Sequence, residues 1–138
     1  MISKILVPVD GSESSERALD YALDIAVKYE AELYILTVVE YANLPAEVIV
    51  AYMNATDKYH RETLSKAVEK AEKVLPHRIT GKLVEGYPSD RIIDEAKKGS
   101  CDLIVMGRRG RGHLTHTLLG SVSDRVADGA PCPLLIIK

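Results

Sequence analysis

One stretch of the sequence concentrates groups suited to holding an anion. It runs Gly107-Arg108-Arg109-Gly110-Arg111-Gly112-His113-Leu114-Thr115-His116-Thr117-Leu118-Leu119-Gly120-Ser121-Val122-Ser123. Three glycines fall within the first six residues and are interleaved with three arginines. Glycine lets the backbone approach a ligand closely and turn successive N–H groups into one concavity. Arginine supplies a forked, permanently charged donor that matches phosphate. Gly120-Ser121 then opens a helix, whose free N–H groups and dipole favour negative charge. Ser121 and Ser123 add hydroxyls. Together these features describe a phosphate cradle. It is not a Walker A loop, since no Gly-Lys-Ser/Thr is present, and the Gly-x-x-Gly-x-Gly spacing differs from the dinucleotide fingerprint.

A second candidate is the run Pro8-Val9-Asp10-Gly11-Ser12. A carboxylate at Asp10 can accept hydrogen bonds from sugar hydroxyls or a base edge. It can equally form an Asx turn before Gly11, with Ser12 as the N-cap of the next helix. Glu13 and Glu16 would repel phosphate from that helix, which assigns any phosphate to the arginine loop. His113 and His116 could act as acid or clamp beside a phosphate, but no carboxylate is placed by sequence to activate water. Asp124 could hold Mg²⁺ through water, or simply complement a helix dipole.

The elements that must position these groups alternate along the chain. Ile2–Val9 is an apolar run of the kind buried on both faces of a parallel sheet. Ser12–Tyr29 carries Ala18, Leu19, Ala22, Leu23, Ile25 and Ala26 at helical spacing. Glu32–Val39 is a second strand. After Asn43-Leu44-Pro45 a long helical stretch begins between Ala46 and Asp57 and ends at Pro76. Arg78–Val84 is a third strand, Pro88–Lys98 a helix stopped by Gly99, and Leu103–Met106 a fourth strand. Ser121–Asp128 is a helix closed by Gly129 and Pro131, and Leu134–Ile137 is a fifth strand. The order βαβαβαβαβ predicts a doubly wound, open parallel five-stranded sheet with helices on both faces. Ligands of such sheets bind beyond the carboxyl ends of the strands at the switch point, which directs attention to the loops after strands one and four. Pro8 is unusual in a central strand, because it cannot donate to the ladder.

Composition sets the outer bounds. The 138 residues suit one domain, 1–138, with 46% hydrophobic and 28% charged residues; wholesale disorder is excluded. Lys plus Arg is 18 against 20 Asp plus Glu, a net charge of −2, so the overall basic excess of a nucleic-acid or anionic-membrane coat is missing. Trp and Phe are absent and seven Tyr supply the aromatic surface. Cys101 and Cys132 are too few for a disulfide scaffold and fit a reducing compartment. The sequence carries no secretory signal pattern at its start and no span of about 20 uncharged residues. The expectation is a cytoplasmic protein with no nucleic-acid or membrane partner.

The pattern Gly107-x2-Gly110-x9-Gly120-Ser121 resembles the glycine motif of the nucleotide-binding branch of the universal stress protein family. Ile5-Leu6-Val7-Pro8-Val9-Asp10-Gly11-Ser12, Gly86-Tyr87-Pro88 and Pro131-Cys132-Pro133 are similar to other segments of that family, where a proline at position 8 is usual. The resemblance implies an adenine nucleotide alpha hydrolase-like sheet in the order 3-2-1-4-5. It implies binding of ATP (or AMP), with Mg²⁺ or Mn²⁺ as accompanying ion. Carried over by position, Asp10 holds the ribose, Pro8 lines the base pocket, and Val38 packs on adenine with Met106. The Gly107–Gly110 turn, Gly120, Ser121, Val122 and Ser123 hold phosphates. A phosphate contact for Arg109 follows from its charge alone. The resemblance also implies a homodimer through the hydrophobic edge Leu134–Ile137, and the reading it supports is a nucleotide-dependent sensor with at most slow hydrolysis, a weak ATPase activity being left open. The alternatives are a dimeric interaction module that binds no nucleotide, and a nucleotidyltransferase or ATP-pyrophosphatase. The first loop, Asp-Gly-Ser-Glu-Ser-Ser, lacks the His-x-Gly-His or Ser-Gly-Gly-x-Asp-Ser of the latter.

Overall fold

A computed structural model describes residues 1–41, 43–108 and 119–138. The elements are β1 (Lys4–Pro8), α1 (Glu13–Tyr29), β2 (Glu32–Val39), α2 (Ala46–Val74), β3 (Ile79–Glu85), α3 (Pro88–Lys98), β4 (Leu103–Gly107), α4 (Ser121–Gly129) and β5 (Leu134–Ile137). All strand pairs are parallel, in the order β3-β2-β1-β4-β5. The expected sheet and strand order are therefore observed. The long second helix starts at Ala46, directly after Pro45.

Side-chain alternation divides the apolar residues between the two faces of the sheet. Ile5, Val7, Leu33, Ile35, Leu103 and Val105 pack against Ala18, Leu19 and Ala22 of α1 and Ala67 and Ala71 of α2. Leu6, Tyr34, Leu36, Ile104 and Met106 pack against Ile92 and Ala96 of α3 and Val126 of α4. The small residues of α1 and α2 let those helices lie close to the sheet, so an aliphatic core closes without Phe or Trp. Cys101 and Cys132 are unbonded and pack on the α3/α4 side at the amino edge. Burial is the main cause that lifts the Cys101 thiol to about 11.

The Pro8 anomaly has a backbone explanation. β1 pairs with β2 along its full length, up to Pro8 opposite Leu36. Its pairing with β4 is confined to Ile5–Leu103 and Leu6–Ile104. Val9 N–H donates to Leu36 O on the β2 side at 2.8 Å. N–H direction alternates along a strand, so the donor that Pro8 lacks would face β4, where the ladder has already ended. β1 and β4 thus part over their last residues, and a cleft opens between them.

α3 is tied down by a buried carboxylate. Glu95 is 2% exposed. It accepts from Tyr34 Oη at 2.6 Å, from Arg91 Nη2 at 2.9 Å and from Lys82 Nζ at 3.2 Å. Burial by itself would raise this carboxyl, but the bonds from Tyr34 and Lys82 and the charges of Lys82 and Arg91 outweigh it and hold it below its usual value. Burial, then Glu95, pushes the Tyr34 phenol above its ordinary range. Lys82 and Arg91 remain 49% and 27% exposed, so solvent moderates what each cation loses if Glu95 goes. Glu95→Gln should then cost about 2 kcal/mol at pH 7, measured by urea unfolding. A depressed carboxyl stabilises the fold above its unfolded value and stops doing so as pH falls through its folded value. The gap between wild type and variant should therefore close below about pH 4, and a gap constant from pH 7 to 3 would contradict this assignment.

Candidate functional site

The parting of β1 and β4 opens a cleft of about 510 Å³ at the carboxyl edge of the sheet, within the range of roughly 300–1,000 Å³ usual for small-molecule sites. Its lining includes Pro8, Asp10, Val38, Met106, Gly107, Gly120, Ser121, Val122 and Ser123. Nine of the eleven residues singled out from sequence therefore lie around one cavity. The other two, Arg109 and Gly110, fall outside the described residues, as do Arg111, His113 and His116.

The inner wall is apolar. Leu36, Val38, Met106 and Ile92 line it, and all four belong to the core on the α3/α4 side. A flat, largely apolar ring would bury its faces there. The polar wall begins at Asp10. Its Oδ1 accepts from Ser12 N–H at 2.9 Å, and Ser12 Oγ accepts from Ser15 N–H at 3.2 Å. The Asx turn and the N-cap expected from sequence are thus both present. Gly11 follows with φ +86°, and a Cβ there would run into the Tyr59 hydroxyl. That hydroxyl donates to Asp10 O at 2.9 Å, so α2 pins the loop that carries Asp10.

The opposite end of the cleft is built differently. α4 begins at Gly120 with no side-chain cap, and its first helical bond runs from Asp124 N–H to Gly120 O at 3.0 Å. Ser121, Val122 and Ser123 therefore present N–H groups that no helical carbonyl can satisfy. α1, by contrast, is capped by Ser12 and carries Glu13 and Glu16 in its first turn. Of these two helix starts, α4 is the one prepared for an anion, and Arg108 stands beside it.

Two bonds close the base of the segment between strand and helix. Gly120 N–H donates to Arg108 O at 2.8 Å, and Ser123 Oγ donates to the same oxygen at 2.7 Å. Ser123 is 2% exposed, so its hydroxyl serves as a clamp on the backbone. Ser121 keeps an exposed hydroxyl. Gly107 has a packing role besides its place in the lining: a Cβ there would collide with the Ser14 hydroxyl and lie 2.9 Å from Ser14 backbone carbon. Only hydrogen at position 107 lets α1 approach β4 this closely.

Several lining residues were not singled out from sequence: Glu40, Tyr41, Asn43, Leu44, Tyr52 and His60. All lie between the end of β2 and the middle of α2. A signal was available in the inward spacing of Ile49, Tyr52, Met53, Thr56 and His60, but without a fixed helix start that face could not be phased. Tyr41 Oη donates to Glu85 Oε2 at 3.3 Å; partial burial first, then Glu85, raises the phenol. The described residues contain no group of three or more His, Cys, Asp or Glu side chains able to hold a metal.

Fold and cleft together define a doubly wound α/β protein with a cleft at its switch point. The sequence profile of the Universal stress protein family matches residues 1–138. A universal stress protein of Methanocaldococcus jannaschii is 36% identical over 141 residues, covering 100% of this chain and 83% of the relative. The chain belongs to the universal stress protein family. The structure of universal stress protein UspA from Lactobacillus plantarum superposes with TM-score 0.90 at 27% identity, over 99% of this chain and 97% of that one. A universal stress protein in complex with cAMP matches with TM-score 0.75 at 29% identity, covering 99% and 96%. One from Archaeoglobus fulgidus in complex with dAMP matches with TM-score 0.70 at 25% identity, covering 100% and 98%.

The Gly107 contact yields a direct expectation. Gly107→Ala should lower stability by about 1–3 kcal/mol through overpacking against Ser14, read as a shift in the urea midpoint. An unchanged midpoint would mean that α1 and β4 can separate at no cost.

Proposed function

We propose that the chain binds an adenine nucleotide in this cleft and works as a nucleotide-dependent switch with at most slow hydrolysis. The observation that carries the reading is the pairing of an apolar slot with an anion-ready helix end in one cavity. Adenine would lie against Val38, Met106 and Pro8, the ribose hydroxyls would meet Asp10, and phosphates would take the N–H groups of Ser121, Val122 and Ser123. The Gly107–Gly110 turn and Arg109 would complete the phosphate site. The relatives in complex with cAMP and dAMP support the nucleotide class. ATP is the proposed form and AMP its nearest alternative, with Mg²⁺ or Mn²⁺ bound chiefly through the phosphates.

The switch would reside in the first turns of α2. Between Ala46 and Tyr59 no side chain of α2 is buried, yet Leu44 and Tyr52 line the cleft. A base in the slot would give this overhanging half something to pack on. Dimerisation is proposed through β5, an edge strand of the sheet. Pro133 O and Ile137 O bond inward to Ile104 N–H and Arg108 N–H, so by alternation Leu134 and Ile136 display their backbone groups at the open edge. A monomer in sedimentation at micromolar concentration would contradict the dimer. The whole of residues 1–138 would act as one cytoplasmic unit.

Calorimetry with ATP and Mg²⁺ tests the reading. Asp10→Asn keeps an acceptor for Ser12 N–H and removes the charge; it should weaken ATP by about tenfold. ATP binding of equal strength in both proteins would remove Asp10 from the site, and silence in the wild type would remove the nucleotide.

A further inference from the structure

Arg108 is held by its backbone and left open at its side chain. Its N–H donates to Ile137 O at 2.6 Å, which carries the β4–β5 ladder one residue past Gly107. Its carbonyl oxygen accepts the two bonds from Gly120 N–H and Ser123 Oγ. Side chains alternate along a strand, so Arg108 takes the same face of the sheet as Met106, on the α3/α4 side. It stands roughly 7 Å beyond Met106, two residues at the usual strand rise, and lines the cleft. Among the described residues its guanidinium has no ion-pair partner; the arginines that have one are Arg17, Arg61 and Arg91. We infer that Arg108 is the specificity-determining residue for phosphate charge, and that it makes the cleft a receptor for a nucleoside polyphosphate, preferring ATP to AMP and AMP to cAMP. The inference rests on the nucleotide reading and adds to it which nucleotide the site selects.

The charges around the cleft carry the inference. Asp10 and Glu40 are the carboxylates of the described lining, and Arg108 is its one lysine or arginine. The open N–H groups at the start of α4 contribute roughly half a positive charge. Without Arg108 the two carboxylates outweigh that half charge, and the cleft repels an anion more strongly with each added phosphate. With Arg108 the positive charge gathers at one end, beside Gly120 and Ser121, while Asp10 stands across the cleft on the β1–α1 loop. Adenosine is neutral and gains nothing from this arrangement. A cyclic phosphodiester carries a single charge, a phosphate monoester about two, and a triphosphate more. The attraction therefore grows along that series, and in a partly enclosed site salt screens it less than on an open surface. The guanidinium fork can also donate to two phosphate oxygens at once. The relatives in complex with cAMP and dAMP hold nucleotides with one phosphate, so the preference for a polyphosphate comes from this chain's own charges and not from theirs.

The test is calorimetry with adenosine, cAMP, AMP and ATP in metal-free buffer at low salt, where the charge of each ligand is its own. The wild type should bind ATP at least about tenfold more tightly than AMP, and AMP more tightly than cAMP. Arg108→Gln should weaken ATP by roughly ten- to thirtyfold and AMP by about threefold. It should leave adenosine unchanged, which also shows that the variant is folded and its base slot intact. Arg108→Lys keeps the charge and should keep most of the preference for ATP. Arg125, exposed on α4 and outside the lining, is the control for general electrostatics, and Arg125→Gln should bind all four ligands as the wild type does. Added salt should weaken ATP binding more steeply in the wild type than in Arg108→Gln. Equal loss of ATP and adenosine in Arg108→Gln, or a wild type that does not prefer ATP to AMP, overturns the inference and leaves nucleotide binding intact. A wild type that binds no adenine nucleotide, with or without Mg²⁺, overturns both.

Discussion

The arrangement depends on one backbone event: β1 and β4 stop pairing after Leu6 and Ile104. Both strands continue, β1 beside β2 and β4 beside β5, so the sheet stays whole at its amino end and splits at its carboxyl end. Proline at position 8 fits the split, because the strand has no donor to offer β4 where the ladder has ended. Two walls of the cleft follow from where the two strands then lead. β1 delivers Asp10 into an Asx turn, and β4 delivers Gly107 and Arg108 to a base that α4 closes with two bonds to one carbonyl oxygen.

Much of this was legible in the sequence for physical reasons. The strand order follows from buried apolar runs separated by helical stretches, together with the family resemblance, and the switch point follows from the order. Asp10, Gly11 and Ser12 could be read locally, since Asx turns and N-caps depend on residues within three positions of each other. The α4 start was legible because glycine at an uncapped helix entrance leaves its donors open. In each case the determining interaction is short in sequence, or is a periodicity that survives averaging.

What could not be read depends on long-range geometry. Gly107 looks like a ligand-facing glycine, and only the approach of α1 shows that Ser14 fills the space where a side chain would stand. Ser123 looks like a donor to a ligand, and only the fold brings Arg108 O within 2.7 Å of it. The first turns of α2 carry Val48, Val50, Ala51 and Ala55 alongside Ile49, Tyr52 and Met53, so apolar residues surround the helix and its periodicity does not show which face turns inward. His60 was lost in the same segment. Glu95 reads in sequence as one more surface charge of a polar helix, and its burial requires Tyr34, Lys82 and Arg91 to arrive from two strands and one helical turn.

The central claim is that the cleft between β1 and β4 is a nucleotide site. The most direct test is to purify the protein without added nucleotide, denature it, and identify any released small molecule by chromatography and mass. The account predicts an adenine nucleotide in near-stoichiometric amount, or full occupancy after incubation with ATP followed by desalting. A protein that releases no nucleotide under either condition would contradict it and leave the cleft without the ligand that its walls describe.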